Sequence, residues 1–272
     1  MCEFCIQHGE GKKWYEIMEN YSQEFLAEES RRAYIHNFVP NVRGRANSNI
    51  AKMEWAKKRI PFADRLIRSL GTKRMKKNHF GQVVPLEDAE EIVDRVQTVT
   101  RVACICRNVA TGSHNCRYCL LLGIDPTGLV HDWPEIEAGL ETLTAEEAKS
   151  VLREFHQEGL VHSIWTFETP FIGAICNCNQ DCLAYKIQVE KDLLTIMFKA
   201  EYMAEIDPEA CVGCRACMQV CQFDALDFSP DVQKCTINPY QCYGCGACRA
   251  VCKRDAIFLK DKASLPHLQG VW

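Results

Sequence analysis

Apolar residues recur at helical spacing in several stretches of the chain. Between residues 13 and 36, Trp14, Ile17, Met18, Tyr21 and Phe25 fall on one stripe with acidic and amide residues opposite, which predicts an amphipathic packing helix. Residues 37–49 are punctuated by Pro40, Asn41, Gly44, Asn47 and Ser48 and read as a loop. Residues 50–70 return to a helical pattern, broken at Pro61. Pro85-Leu86-Glu87-Asp88 opens a further helix, which carries Ile92, Val93, Val96 and Val99 toward Cys104.

The middle of the chain changes period. Thr144-Ala145-Glu146-Glu147 has the form of a capping box, Ala148, Val151, Leu152 and Phe155 supply an apolar face, and Gly159 suits the helix stop. Residues 160–167 and 171–175, joined through Glu168-Thr169-Pro170, then read as a β-hairpin. A helix followed by a hairpin is half of a winged helix. The second strand ends at Cys176, so folding is expected to carry Cys176, Cys178 and Cys182 toward Cys104 and Cys106.

Residues 211–221 and 242–252 read CVGCRACMQVC and CYGCGACRAVC, the same C-x2-C-x2-C-x3-C spacing twice. Three cysteines three residues apart let a short loop wrap an inorganic cube with its amides turned inward, while the fourth is carried by a helix toward a second cube. Cys211, Cys214, Cys217 and Cys252 are therefore assigned to one [4Fe-4S] cluster, and Cys242, Cys245, Cys248 and Cys221 to the other. The repeat extends past the cysteines: Ile206-Asp207-Pro208 matches Ile237-Asn238-Pro239, and Phe223-Asp224-Ala225-Leu226 matches Arg254-Asp255-Ala256-Ile257. Zinc motifs and disulfide frameworks are the rivals for such cysteines, but zinc motifs usually separate two cysteine pairs widely.

With all eight positions matched, residues 203–262 resemble the bacterial two-[4Fe-4S] ferredoxin family. The resemblance implies two halves, each a strand, a cluster loop, a short helix and a strand. Gln222 and Lys253 stand where the family has proline, which implies a looser helix entry and a shifted potential with the ligands intact. Residues 80–185 are similar, more loosely, to an iron–sulfur domain of some anaerobe electron-transfer proteins. The matching segments are Ala103-Cys104-Ile105-Cys106-Arg107, Gly159-Leu160-Val161-His162 and Ile175-Cys176-Asn177-Cys178. That likeness implies an iron–sulfur role without naming a reaction, and Cys178-Asn179-Gln180-Asp181-Cys182 is poorer in cysteine than the family pattern.

Ten of the 18 cysteines lie outside the repeat. Cys2 and Cys5, with His8 following, form half a metal site, and Cys116 and Cys119 form another. Together with Cys104, Cys106, Cys176, Cys178 and Cys182 they could build one or two further iron–sulfur clusters or a zinc centre; the alternative is a set of buried or reactive thiols. Cys235 falls on an expected strand and reads as a plain buried cysteine. His8 and His114 are the histidines closest to being candidate ligands.

At 272 residues and 47% hydrophobic composition, the chain has room for more than a ferredoxin module. The expected class is α+β: a helical N-terminal region over 1–80, a cysteine-rich winged-helix-like domain over 81–200, and a ferredoxin-like dicluster domain over 201–272. No apolar run approaches the roughly 20 residues of a membrane span, and the N-terminus lacks a signal-peptide core. A thiol-rich chain of this kind is expected in a reducing cytoplasm.

Net charge is −4, yet residues 51–80 hold ten Lys and Arg against Glu54 and Asp64. Such a stretch is a solvated helical face, a dock for an acidic redox partner, or a peripheral membrane contact. Phosphate-binding, serine-hydrolase, zinc-protease, radical-type and haem motifs are all absent. The sequence thus predicts a carrier of single electrons, a ferredoxin-like subunit or partner of a flavoprotein or other oxidoreductase. Two alternatives remain: a redox-sensing regulator using the winged-helix-like module, and an oxidoreductase whose extra metal centre is catalytic. Nucleic acid is disfavoured because residues 144–158 are acidic.

Overall fold

The computed structural model describes residues 13–61, 63–114, 116–126 and 139–268. It opens on two 3-10 turns, Trp14–Glu16 and Met18–Tyr21, followed by α1 (Gln23–Ala27), α2 (Glu29–Arg59) and α3 (Ala63–Asn78). The single helix expected over 13–36 is therefore replaced by four pieces. Ile17 and Ser22 are extended, and the Ser22 hydroxyl caps α1 by accepting from the Phe25 amide at 3.2 Å. The break lets the adjacent Trp14 and Tyr15 both be buried, which one helical face would not allow, and leaves Met18 in solvent.

The loop expected over 37–49 is helical. Pro40 removes a helix hydrogen bond and Gly44 carries a propensity penalty of about 1 kcal/mol. Against this, Ile35 and Val39 lie one turn apart and, with Ile50, are buried. Val39 packs on Ala103 and Ile105, and Ile50 on Leu183 and Leu193. Tertiary burial of one stripe outweighs the local breakers. Pro61 does end the helix, as its position predicts.

Seven strands follow: β1 (Gly81–Val83), β2 (Val99–Val102), β3 (Cys119–Leu122), β4 (Glu141–Leu143), β5 (Val161–Thr166), β6 (Ile172–Cys178) and β7 (Met197–Phe198). They form one sheet in the order β4-β2-β3-β6-β5-β1-β7, antiparallel except where β1 meets β7. Between them lie α4 (Leu86–Arg95), α5 (Ile105–Thr111) and α6 (Ala145–Gln157). Val99, expected on the helix from Pro85, is on β2 instead. The capping box on α6 is formed, with the Thr144 amide donating to Glu147 at 2.8 Å, and Gly159 takes φ +78° after the helix.

The helix and hairpin expected in the middle of the chain are present, but the hairpin is no wing. β6 pairs with β3 and β5 with β1, so it forms the centre of the sheet. Period-2 alternation then gives the sheet two apolar faces. Leu120, Leu122, Ile164, Ile172 and Ile175 pack with Ile92 and Leu152 of α4 and α6. Leu121, Trp165, Ala174, Cys176 and Cys178 share the opposite core with Ile35 and Phe38 of α2. The thiols thus lie on the α2 side.

The C-terminal part has the twofold repeat. β8 (Tyr202–Ile206) pairs with β11 (Ile257–Asp261), and β9 (Leu226–Ser229) with β10 (Lys234–Ile237). α7 (Ala216–Val220) and α8 (Ala247–Ala250) each follow a cysteine loop. Gly213 and Gly244, 31 positions apart, sit at φ +66° and +69°, where a Cβ would lie 2.2 Å from the Gln233 carbonyl and 2.1 Å from the Tyr202 carbonyl. Only glycine fits there. No described helix is long and apolar enough to cross a membrane.

Candidate metal centres

The two cysteine motifs are interlocked. Cys211, Cys214, Cys217 and Cys252 line one small cavity, so the fourth cysteine of the second motif reaches the first loop. Cys221 stands in electrostatic reach of Cys242, Cys245 and Cys248. Backbone amides are aimed at sulfur: Ala225 donates to Cys221, Ala256 to Cys252 and Gly244 to Cys242, each at 3.4 Å. Thiolates wrapped by amides are the surroundings a cube needs, and the donor set fits a [4Fe-4S] cluster in each loop. Burial would raise the Cys211 thiol, but amides at Cys235 and Gly213, together with the Lys234 charge, outweigh it and hold the group below its ordinary range.

Residues 203–253 match the family model of the 4Fe-4S dicluster domain. This part of the chain is a dicluster ferredoxin-like domain, and it gives the protein an iron–sulfur electron-transfer role. No curated protein matches the chain.

The dicluster domain is unequal in its surroundings. Cys214 and Val212 of the first loop are exposed. The second loop faces the sheet: Phe223, Tyr243, Cys221 and Cys245 join the same apolar core as Cys178, Cys182 and Tyr185. Cys235 is buried on β10, as its position predicts, and it also lines the first cavity beside Cys211 and Cys217. Sequence reading had no reason to place it there, because its repeat partner is Ala204.

A second group of thiols lies inside the sheet domain. Cys104 and Cys106 begin α5, Cys119 begins β3, Cys176 and Cys178 end β6, and Cys182 caps the short helical turn Leu183–Tyr185. Cys119 and Cys176 are direct partners across β3 and β6. Sulfurs approach at 3.4 Å between Cys104 and Cys119, 3.8 Å between Cys119 and Cys176, and 3.3 Å between Cys178 and Cys182. Cys106 is within hydrogen-bonding reach of Cys182, and Cys176 of Cys178. The six form two triplets, centred on Cys119 and Cys182 and joined through Cys176 and Cys178. All the described cysteines are free. Among the described residues, no three His, Cys, Asp or Glu side chains close around one point as the ligands of a single ion do.

All six line one cavity of about 110 Å³, with Ile35, Phe38, Trp165 and Phe167 as its apolar wall. Arg107 is its nearby cation, buried over the Tyr118 ring at 4.4 Å and donating to Asn179 Oδ1 at 2.8 Å. His79 also lines the cavity, among Phe38, Trp165 and Phe167. Its Nδ1 donates to the Thr166 carbonyl at 2.6 Å, which leaves Nε2 unprotonated. Burial pushes this imidazole down to about 4, against the pull of that carbonyl. A ring N–H held by a backbone carbonyl is the usual support of a metal-binding histidine. Nothing local in the sequence singles out His79, which follows a basic helix with no cysteine near it.

Cys116 is half-buried, its sulfur 3.1 Å from Ser113 Oγ, and it is not among the cavity-lining thiols. Among the described residues, His114 meets the Asn108 side chain, at 3.1 Å. Cys2, Cys5 and His8 lie outside the described residues.

Proposed function

We propose that the protein passes single electrons through two [4Fe-4S] clusters, one held by Cys211, Cys214, Cys217 and Cys252 and the other by Cys242, Cys245, Cys248 and Cys221. A cube so held supplies one-electron chemistry, and the chain's own part is to enclose it in thiolates and amides and to keep water away. The observation that carries the reading is the cavity lined by Cys252 together with the first three cysteines of the other motif. In this reading the interlock sets the two cubes side by side, and electrons hop between them.

The exposed Cys214 and Val212 make the first loop the face for a redox partner, so that the chain serves as the ferredoxin-like subunit or partner of a larger oxidoreductase. A second contact surface lies on α2 and α3, where Trp55, Ile60, Leu66 and Leu70 are exposed among Lys58, Arg59 and Arg65. Its charge suits an acidic partner. Part of the basic stretch is already committed, since Arg68 pairs with Asp192 at 2.6 Å.

Iron analysis and Mössbauer spectroscopy on anaerobically isolated protein are the test. The expected result is about eight irons per chain or more, four per cube, with cubane signals that vanish in part when Cys217 or Cys248 becomes serine. Colourless protein carrying zinc would overturn the proposal.

A further inference from the structure

Beyond the dicluster domain, we infer that Cys104, Cys106, Cys119, Cys176, Cys178 and Cys182 hold a third, iron-containing centre, in electronic contact with the inner ferredoxin cluster through Tyr185, Phe223 and Tyr243. The inference rests on the proposed function only in taking the inner cluster as its electron source.

The first argument is the donor set. Six thiols from separate parts of the chain converge on one cavity, none is paired as a disulfide, and sulfur touches sulfur in two triplets. Buried structural cysteines behave as small apolar residues and have no reason to seek one another. Six donors exceed the four that a tetrahedral zinc takes, a number that suits a polynuclear centre. The cavity of about 110 Å³ is comparable with the ~150 Å³ known to take a small aromatic ring, room enough for a cluster of several atoms.

The second argument is an orphaned donor. The Tyr185 hydroxyl is buried and has no hydrogen-bond partner among the described residues. It lies within electrostatic reach of Cys245, Cys178 and Cys182. A buried hydroxyl left unmade costs about 1–3 kcal/mol, and electron-rich sulfur would satisfy it.

The third argument is a break in the repeat. Tyr185 stacks on Phe223 at 5.4 Å between centroids, and Phe223 on Tyr243 at 3.7 Å. At the equivalent positions 31 residues away stand Arg254 and Val212. The aromatic pair therefore exists only on the side of the dicluster domain that faces the six thiols. The rings share one apolar core with Cys182 and Cys245, whereas the outer half presents an exposed valine to solvent. The order of sites is outer loop, inner loop, aromatic stack, thiol cavity.

The test uses the full chain, isolated without oxygen. Wild-type protein is expected to hold more than the roughly eight irons of two cubes, and the double variant C119S/C182S to lose the excess while the Mössbauer signals of the dicluster domain persist. Phe223→Leu is expected to keep the full iron content and to delay reduction of the third centre in freeze-quench EPR after the outer cluster is reduced. If the double variant unfolds, the wild-type iron count decides alone. Eight irons or fewer, an unchanged count in the double variant, or zinc at the six thiols would overturn the inference. Absence of all cubane iron would instead strike the proposed function, a distinguishable outcome because it removes the dicluster signals too.

Discussion

Phe223 and Tyr243 lie face to face, 3.7 Å between ring centroids and 8° from parallel, although one follows the first cysteine motif and the other opens the second. The contact closes the dicluster domain on itself and turns it toward Tyr185. Phe223 is buried, and truncating a buried phenylalanine costs about 3–5 kcal/mol. Phe223→Ala should lower stability by that amount in anaerobic denaturant titration, with Val212→Ala, at an exposed position, within about 0.5 kcal/mol of wild type. Equal effects at the two positions would contradict the packing described.

The cluster loops depend on two glycines. A methyl at Gly213 would meet the Gln233 carbonyl and one at Gly244 the Tyr202 carbonyl, both far inside contact distance and both at positive φ. Neither carbonyl can move cheaply, since Gln233 precedes β10 and Tyr202 begins β8. Gly213→Ala and Gly244→Ala should each open one loop and release iron from it, read as loss of visible absorbance and of iron. Gly112, which also has positive φ but open space around its Cβ, should tolerate alanine with full iron content at a cost of about 1 kcal/mol.

Asp88 joins three elements. It is buried on α4 and accepts from Tyr15 at 2.5 Å and Tyr202 at 3.0 Å, with the Lys13 ammonium at 3.3 Å. The N-terminal turn, the sheet domain and the first ferredoxin strand meet on one carboxylate. Burial would lower the Lys13 pKa, but its bonds to Tyr202 and Asp88 reverse this and hold it above its ordinary value. Asp88→Ala strands these donors and should cost about 2–4 kcal/mol, whereas Glu90→Ala, which breaks an exposed pair with Arg153, should cost less than about 1 kcal/mol. Thermal unfolding of both variants checks the contrast.

The dicluster domain was legible because ligand spacing, glycine positions and the 31-residue period all encode one local unit. The α6 cap and the central hairpin were legible for the same reason, since their signals lie within a few residues of each other. Residues 37–49 were not, because the stripe of Ile35, Val39 and Ile50 is paid for by partners on Ala103 and Leu193, far away in sequence. The six-thiol cavity was half legible: the hairpin pointed Cys176 toward Cys104. The register that sets Cys119 opposite Cys176 is a property of the sheet. His79 and the Tyr185 stack carry no motif and emerge only from tertiary packing.

His162 gives the fold a predictable response to acid. Its ring is buried on β5, stacked on His156 at 5.4 Å, with Nδ1 donating to Asn177 Oδ1 at 2.6 Å and Nε2 without a partner among the described residues. The Asn177 amide is oriented by its own bond to the Tyr118 carbonyl at 2.7 Å, so the imidazole is fixed as the Nδ1–H tautomer. Burial, aided by His156 and opposed by Asn177 and Glu87, lowers its pKa from 6.5 to about 4. His156 moves the same way, through burial and the Arg249 charge, with Glu87 and Glu90 opposing. A histidine depressed in the folded state takes up its proton on unfolding, so its stabilising contribution is complete above pH 6.5 and is lost as pH falls toward 4. The interval corresponds to about 3 kcal/mol for His162. The denaturation midpoint should therefore fall steeply between pH 6.5 and 4, and His162→Gln, which can still donate to Asn177, should flatten that slope while lowering stability at pH 7.5. An unchanged slope in the variant would mean that the ring is solvated and that the two histidines do not face each other in a dry interior.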